Sequence, residues 1–423
     1  MANQFVNTSW VPKEILRIMR TNCQLLKLTN TDYKSEFTDA RRKIGATISV
    51  ERPAKYTIRQ GLQAQPQASI STFVPMTIQP PIGVDLDFDI MSQTLNMDDK
   101  GWQNRIKAAV VTIAAQVDAM GFSYYNRIAD VVGTPGLITS GAATSTQLQN
   151  VILQARQRLT ENLAPDDGSR AVLLAPAMTT PLVSGLTPLF NPQGTISKAF
   201  SKGALGDGVL GFNFAEDQNA TMHTTGTATG TPQAFSTAAA IQGATNSVQS
   251  DGSTPFPLAT AALSGTLTAG TAFTIPGVYN VNDKTKVTTG TLKNFVLVAN
   301  AAGGATSISI YPYPVFSGPF QNCTSATGAI PASSACTTLN GAPSTTYPNA
   351  WAIHPDALGF VSLPLGEPAG LAGTYKEISD DETNLRMSVW TGSDIKSGTS
   401  ISRIELCCAF AWYYPEWAVR ITG

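Results

Sequence analysis

Charge is what this sequence has least of. Charged residues make up 13% of it, about half the usual share in a globular chain. The 28 Lys and Arg nearly cancel the 29 Asp and Glu, leaving a net charge of −1. So sparse and balanced a set excludes nucleic-acid binding through a basic surface, and a net charge near zero favours association over life as a free monomer. Histidine occurs twice and cysteine five times, an odd number that does not make a disulfide scaffold in a chain this long. Cys407 and Cys408 are adjacent, so on a strand they point to opposite faces and cannot chelate together. Cys323 and Cys336 sit in a Ser/Thr/Gly-rich stretch where a bridge is one reading; two reduced thiols, as expected in a cytosolic product, is the preferred one. No apolar run approaches the ~18 residues of a membrane span, and Met1 to Thr8 does not have the basic-then-apolar form of a signal peptide.

What is present is apolar: hydrophobic residues are 43% of the 423, enough for a large core and too many for wholesale disorder. The length suggests two or three packed units. The sharpest internal boundary is again one of charge. Between 222 and 348 the only charged residues are Asp251, Asp283, Lys284, Lys286 and Lys293. Within that interval Phe273-Thr274-Ile275, Phe295 to Val298 and Ile308 to Tyr311 read as strands, separated by Gly/Pro punctuation at Pro276-Gly277, Gly303-Gly304 and Gly318-Pro319. The interval is read as an all-β insertion.

Upstream, Ala46, Ile48 and Val50 alternate with polar residues, as do Val84 to Ile90, predicting two strands joined through a polar, Gln- and Pro-bearing middle with too little apolar surface for its own core. That describes an arm. Apolar residues from Trp102 to Val131 recur every three or four positions and predict a helix of about 45 Å over 102–131; Gly121 within it marks a bend or a close backbone contact. A second helix is expected from Ser145 to about Leu163, then a strand at Ala171 to Leu174. Near the end, Leu385, Met387 and Val389 alternate, and a long strand runs from Arg403 to Trp412.

Motifs that would carry chemistry fail on context. Gly206-Asp207-Gly208-Val209-Leu210-Gly211 has the G-x-G-x-x-G spacing, but no apolar strand precedes it, no helix follows and no acid lies about 20 residues on, so a glycine-rich turn is expected and no cofactor. Asp85, Asp87 and Asp89 open like a calcium loop, yet Ile90 stands where glycine is required and Asn96 where glutamate is. They share one strand face and read as a hydrated face or a surface for basic residues of another subunit. His354, before Pro355 and Asp356, reads as a turn or packing residue. No catalytic residue, cofactor site or metal site is expected. Arg41-Arg42-Lys43 is the one basic cluster, either a solvated turn or an intersubunit contact. Lys13, Arg17 and Arg20 share one face of a helix expected over Pro12 to Leu28, suited to a scaffold or neighbouring subunit or to packing on its own domain.

The order of these parts resembles the major capsid (coat) protein of short-tailed bacteriophages, the coat family that carries an insertion on the capsid fold shared by tailed phages and herpesviruses. The resemblance rests on Pro81 to Phe88 leading to Arg105-Ile106-Lys107-Ala108-Ala109, and on Ser402-Arg403-Ile404 with Trp412-Tyr413 and Pro415-Glu416-Trp417-Ala418. It implies an α+β, Hong Kong phage-like capsid fold. Its parts would be an N-terminal helical arm (1–43), an extended loop and the start of a peripheral domain (44–99), and a spine helix (100–132). An axial domain (133–221) would be interrupted by the β-rich insertion (222–348) and resumed at 349–384, with peripheral strands at 385–423. It further implies a non-enzymatic structural protein that forms hexamers and pentamers of itself, works with a scaffolding protein and a portal, encloses double-stranded DNA non-specifically, and assembles in the bacterial cytoplasm into the virion capsid. No crosslink is expected; Lys55 lies in the extended loop without a nominated acceptor. The competing reading, from the Thr/Ala/Gly-rich β interval, is a surface fibre or adhesin, which would need export.

Overall fold

A computed structural model of the chain describes residues 24–31, 47–59, 61–67, 69, 71–89, 99–140, 143–186, 208–230, 233–238, 244–245, 255–339, 341–363, 365, 374–379, 386–394 and 399–423. In chain order the described elements begin with a 3-10 turn (Leu25–Leu28), β1 (Thr47–Arg52), β2 (Thr72–Thr77), β3 (Ile82–Asp89) and α1 (Asp99–Phe122). A 3-10 turn (Ser123–Arg127) leads to β4 (Val131–Val132), α2 (Ser145–Glu161), β5 (Ala171–Leu174) and α3 (Pro176–Leu186). Strands then dominate: β6 (Asn213–Glu216), β7 (Met222–Thr224), β8 (Ala234–Ser236), β9 (Ala244–Thr245), β10 (Phe256–Ala259), β11 (Ala272–Val281), β12 (Thr288–Leu297), β13 (Ser307–Tyr311), β14 (Val315–Ser317), β15 (Cys323–Thr324), β16 (Ala335–Thr338) and β17 (Thr346–Ile353). After a short turn at Pro355–Ala357 come β18 (Leu358–Leu363), β19 (Thr374–Ser379), β20 (Arg386–Asp394), β21 (Thr399–Trp412), a 3-10 turn (Pro415–Trp417) and β22 (Ala418–Thr422). The chain divides into two compact units: 1–48, 75–121 and 359–411 in the first, 49–74, 122–358 and 412–423 in the second.

In the first unit, β21 is the spine of a five-stranded sheet ordered β18-β21-β20-β19, with β3 also paired to β21. The register sets Arg403 opposite Asp85 and Ile404 opposite Val84. Val110, Ile113, Ala114 and Val117 form the buried stripe of α1, at the three- and four-residue steps that the periodicity required. Gly121 is the close contact expected of it: a Cβ there would lie 2.4 Å from Leu25 Cδ2 and 3.1 Å from the Phe410 ring. Phe410 in turn packs on Phe360, with centroids 4.9 Å apart.

The second unit holds a six-stranded sheet ordered β4-β22-β17-β5-β6, with β7 also paired to β17. Its helix α2 starts where its sequence dictates, because Thr144 and Gln147 form a reciprocal capping box, and it buries Leu148, Val151, Ile152, Ala155 and Leu159. The 222–348 interval, which is strand and turn throughout its described residues, builds a seven-stranded sheet ordered β10-β13-β12-β11-β16-β8, with β15 also on β11. Phe273 and Phe295 face each other across β11 and β12, each 1% exposed or less, and Phe235 meets Phe273 edge-on at 5.0 Å. At about 1.5–3 kcal/mol for each large side chain buried, Phe256, Leu258, Ile275, Leu297, Ile308 and Ile310 supply the rest of a core that needs almost no charge.

Two expectations are corrected. The α-helix ends at Phe122 instead of running to 131, and the chain tightens into the Ser123–Arg127 turn. The reason is local: the carbonyls of Phe122 and Tyr124 accept from Thr221 Oγ1 (3.3 Å) and Trp412 Nε1 (2.9 Å), so the helix end is satisfied by side chains and not by a further turn. The second strand of the two-stranded arm is β2, not 84–90; β1 pairs with β2, and β3 belongs to the sheet of β21. Of the last strands, β20 and β21 lie in the first unit, and β22 pairs with β17 and β4 in the second. Lys13, Arg17, Arg20, Arg41, Arg42 and Lys43 lie outside the described residues, as does most of the helix expected over 12–28.

Candidate assembly site

The segment between β1 and β2 is the most conspicuous surface of the second unit. Among its described residues, large side chains stand in solvent: Tyr56 is 54% exposed, Ile58 80% and Leu62 102%. What gives it form is a polar ladder. Gln67 Oε1 accepts from the Thr57 amide at 2.9 Å, Gln67 Nε2 donates to the Thr57 carbonyl at 2.6 Å, and Tyr56 Oη donates to Ser69 Oγ at 3.0 Å. Arg59 Nη1 donates to the Gln63 carbonyl at 2.6 Å.

Its root is held by ions. Arg52, 7% exposed, pairs with Glu416 at 2.7 Å and covers the Tyr414 ring at 5.1 Å, and that ring stacks on Trp417 at 4.2 Å. Lys55 Nζ lies 2.6 Å from Asp283 Oδ1, with Lys286 3.5 Å from the same oxygen. Burial alone would push the Asp283 carboxyl up, but Lys55, Lys286 and Lys284 together outweigh it and hold it below the ordinary carboxylate value. Arg52, Lys55, Asp283, Lys293 and Glu416 line a cleft of about 300 Å³. Thus four of the five charges of the 222–348 interval gather within residues 283–293, and the partner of Lys55 is a carboxylate of its own chain. Sequence reasoning missed the roles of Arg52, Asp283 and Glu416; only Asp283 carried a signal, as an acid in so charge-poor an interval, and Arg52 and Glu416 carried none.

Asp85 and Asp87 are exposed on β3, and Asp85 faces Arg403 at 3.9 Å across the β3–β21 register. Asp89 lies opposite Thr399. Among the described residues no group of three or more His, Cys, Asp or Glu could hold a metal ion. The four described cysteines, Cys323, Cys336, Cys407 and Cys408, are free thiols in the interior. Gly208 to Gly211 is a tight turn with Gly208, Leu210 and Gly211 at positive φ, and it feeds a strand, not a dinucleotide-binding helix.

One constellation imitates catalysis. Ser169 Oγ is 3.1 Å from His354 Nε2, and Asp356 Oδ2 is 3.7 Å from Nδ1. The hydrogen bonds contradict a triad. Nδ1 accepts from the Asp356 backbone N–H at 3.3 Å, so the ring proton of the neutral imidazole sits on Nε2. Ser169 Oγ donates to Asp167 Oδ1 at 2.6 Å. A base whose Nε2 already carries a proton cannot take one from serine. Those bonds from the Ser169 side chain and backbone hold the Asp167 carboxyl down at about 2, against a small rise from desolvation, with His354 adding to the effect. His354 itself, 2% exposed, caps the Pro355–Ala357 turn, the turn role expected of it.

The exposed apolar loop on its ion-paired stem and the charge-poor β interval are the surface of a structural protein that assembles with copies of itself. Residues 12–423 match the model of the P22 coat protein family (gene protein 5), and the chain belongs to that family. It is a major capsid protein: in many copies it forms the shell of a phage head and resides in the virion capsid, and it is structural, not enzymatic. The fibre or adhesin reading is thereby set aside. No curated protein matches the chain. Among solved structures it is similar to that of Mycobacterium phage Che8, at 11% identity over 93% of this chain and 89% of that one, with a TM-score of 0.46. It is similar also to the mature capsid of bacteriophage PhiM1, at 9% identity over 89% and 82% with a TM-score of 0.40. A virus-like particle from Pyrococcus furiosus matches at 8% identity over 98% of each chain, with a TM-score of 0.37.

Proposed function

We propose that the 53–71 loop is the grip by which each subunit holds its neighbour in the shell. The observation that carries this is the exposure of Ile58 and Leu62 on a stem that Arg52–Glu416 and Lys55–Asp283 fix in direction. Burying each of these two side chains against a neighbour would contribute about 1.5–3 kcal/mol, weak enough to reverse during assembly and multiplied by closure of the shell. Arg41, Arg42 and Lys43 at the foot of the arm, and the acidic face of Asp85, Asp87 and Asp89, serve as intersubunit contacts in this reading. Lys13, Arg17 and Arg20 meet the scaffold or a neighbour. Hexamers and pentamers form in the host cytoplasm around a scaffolding protein, with a portal, and the shell encloses double-stranded DNA without reading its sequence; the sparse, balanced charge suits enclosure without grip.

The double variant Ile58→Asp/Leu62→Asp tests the loop. Its subunit should unfold at the wild-type temperature, since neither side chain packs in the fold, while sedimentation shows particles lost to free subunits. Wild-type particle yield would overturn the proposal.

A further inference from the structure

The chain leaves the six-stranded sheet for the 222–348 interval through β7 and returns through β17, and these two passages are hydrogen-bonded neighbours with His223 opposite Tyr347. The pair forms a neck. Packed on it is Arg420 of β22, 1% exposed. Its Nη1 donates to the Gly270 carbonyl at 2.7 Å, in a turn of the insertion closed by the Thr271 amide on the Thr268 carbonyl at 3.1 Å. Its guanidinium carbon lies 5.7 Å from the centroid of the Tyr125 ring. Tyr125 Oη reaches both His223 Nδ1 at 3.2 Å and the Ala269 carbonyl at 3.3 Å, and the His223 ring packs on that of Tyr347 at 5.6 Å. Thr268 Oγ1 adds a bond to the Thr224 carbonyl at 2.7 Å.

This is an expensive residue to bury. Among the described residues no carboxylate acts on Arg420, and its Nε and Nη2 have no hydrogen-bond partner. Desolvation holds its pKa down at about 10. A methionine of similar length would fill the same space without that cost. What the guanidinium supplies that an apolar chain cannot is a directed bond to one carbonyl of the insertion. The approach is also as close as a backbone allows: Gly270 has φ +87°, and a Cβ there would lie 2.3 Å from Tyr125 Cε2.

We propose that Arg420 pins the insertion at its neck. Gripping the Gly270 carbonyl from within a cage of Tyr125, His223 and Tyr347, it sets the direction in which the 222–348 interval stands on the six-stranded sheet. It is a positioning residue for whatever surface that interval presents. The pin acts within one subunit and stands independently of the loop contact proposed above.

Hydrogen exchange read by mass spectrometry on the full chain tests it, with wild type and variants in the same assembly state. In Arg420→Met and in Gly270→Ala, the neck amides at 222–225 and 345–347 should exchange about tenfold faster or more, while the β10–β13 core amides keep wild-type protection. Such selective loosening is what a merely space-filling arginine would not produce. Unchanged neck exchange in Arg420→Met, or loss spread evenly over the insertion core in both variants, overturns the proposal. Should Arg420→Met fail to fold, Gly270→Ala decides alone by the same two outcomes.

Discussion

His223 makes the neck sensitive to acid, and the size of the effect follows from its surroundings. The ring is 1% exposed; burial first, and the Arg420 charge second, hold its pKa at about 3 instead of the ordinary 6.5. Between those values the unfolded chain binds a proton that the folded chain refuses, so stability falls as pH drops below 6.5, by about 1.4 kcal/mol per unit. From pH 6.5 to 4.5 the single residue contributes a loss of about 2–3 kcal/mol. The perturbation is His223→Gln, which keeps a hydrogen-bonding group for Tyr125 Oη but does not titrate. Urea unfolding of both proteins from pH 7 to 4.5 gives the assay, and their difference removes the carboxylates they share. Wild type should lose stability faster than the variant, the gap opening below 6.5. Parallel curves across that interval would refute the reasoning, because they would mean that the folded chain takes up the proton freely.

Gly121→Val should destabilise the first unit by about 1–3 kcal/mol through overpacking on Leu25 and Phe410, read as a lowered unfolding midpoint; a wild-type midpoint would show the contact to be loose. Cys323 and Cys336, whose thiols burial pushes up to about 12, should resist labelling by a disulfide reagent at pH 8 until the chain is unfolded, and rapid labelling of the native chain would contradict their placement. Arg52→Ala removes both the Glu416 pair and the cover on Tyr414. It should cost about 1–3 kcal/mol, between the values for exposed and buried pairs, with the 54–59 amides the first to lose protection from exchange.

Much of this fold was legible because it is local. The 3.6-residue stripe of α1, the start of α2 at Ser145 and the apolar runs of β11, β12 and β13 each declare themselves within a few neighbouring residues. The helix end at Phe122 did not, because Trp412 and Thr221, distant in sequence, decide it. Strand β2 was hidden by Pro75, which demotes a run of Thr-Phe-Val-Pro-Met-Thr until it is seen at the edge of a two-stranded sheet. The exposed face of the arm could be anticipated from its poverty in core residues. The ions at its root could not: Arg52 meets Glu416 across 364 residues and Lys55 meets Asp283 across 228, and no periodicity carries a pairing over such separations.

Everything above turns on copies of this chain closing into a shell. Electron microscopy of particles formed by the chain tests it most directly. Closed icosahedral shells are the predicted result; dispersed subunits or open fibres alone would contradict it.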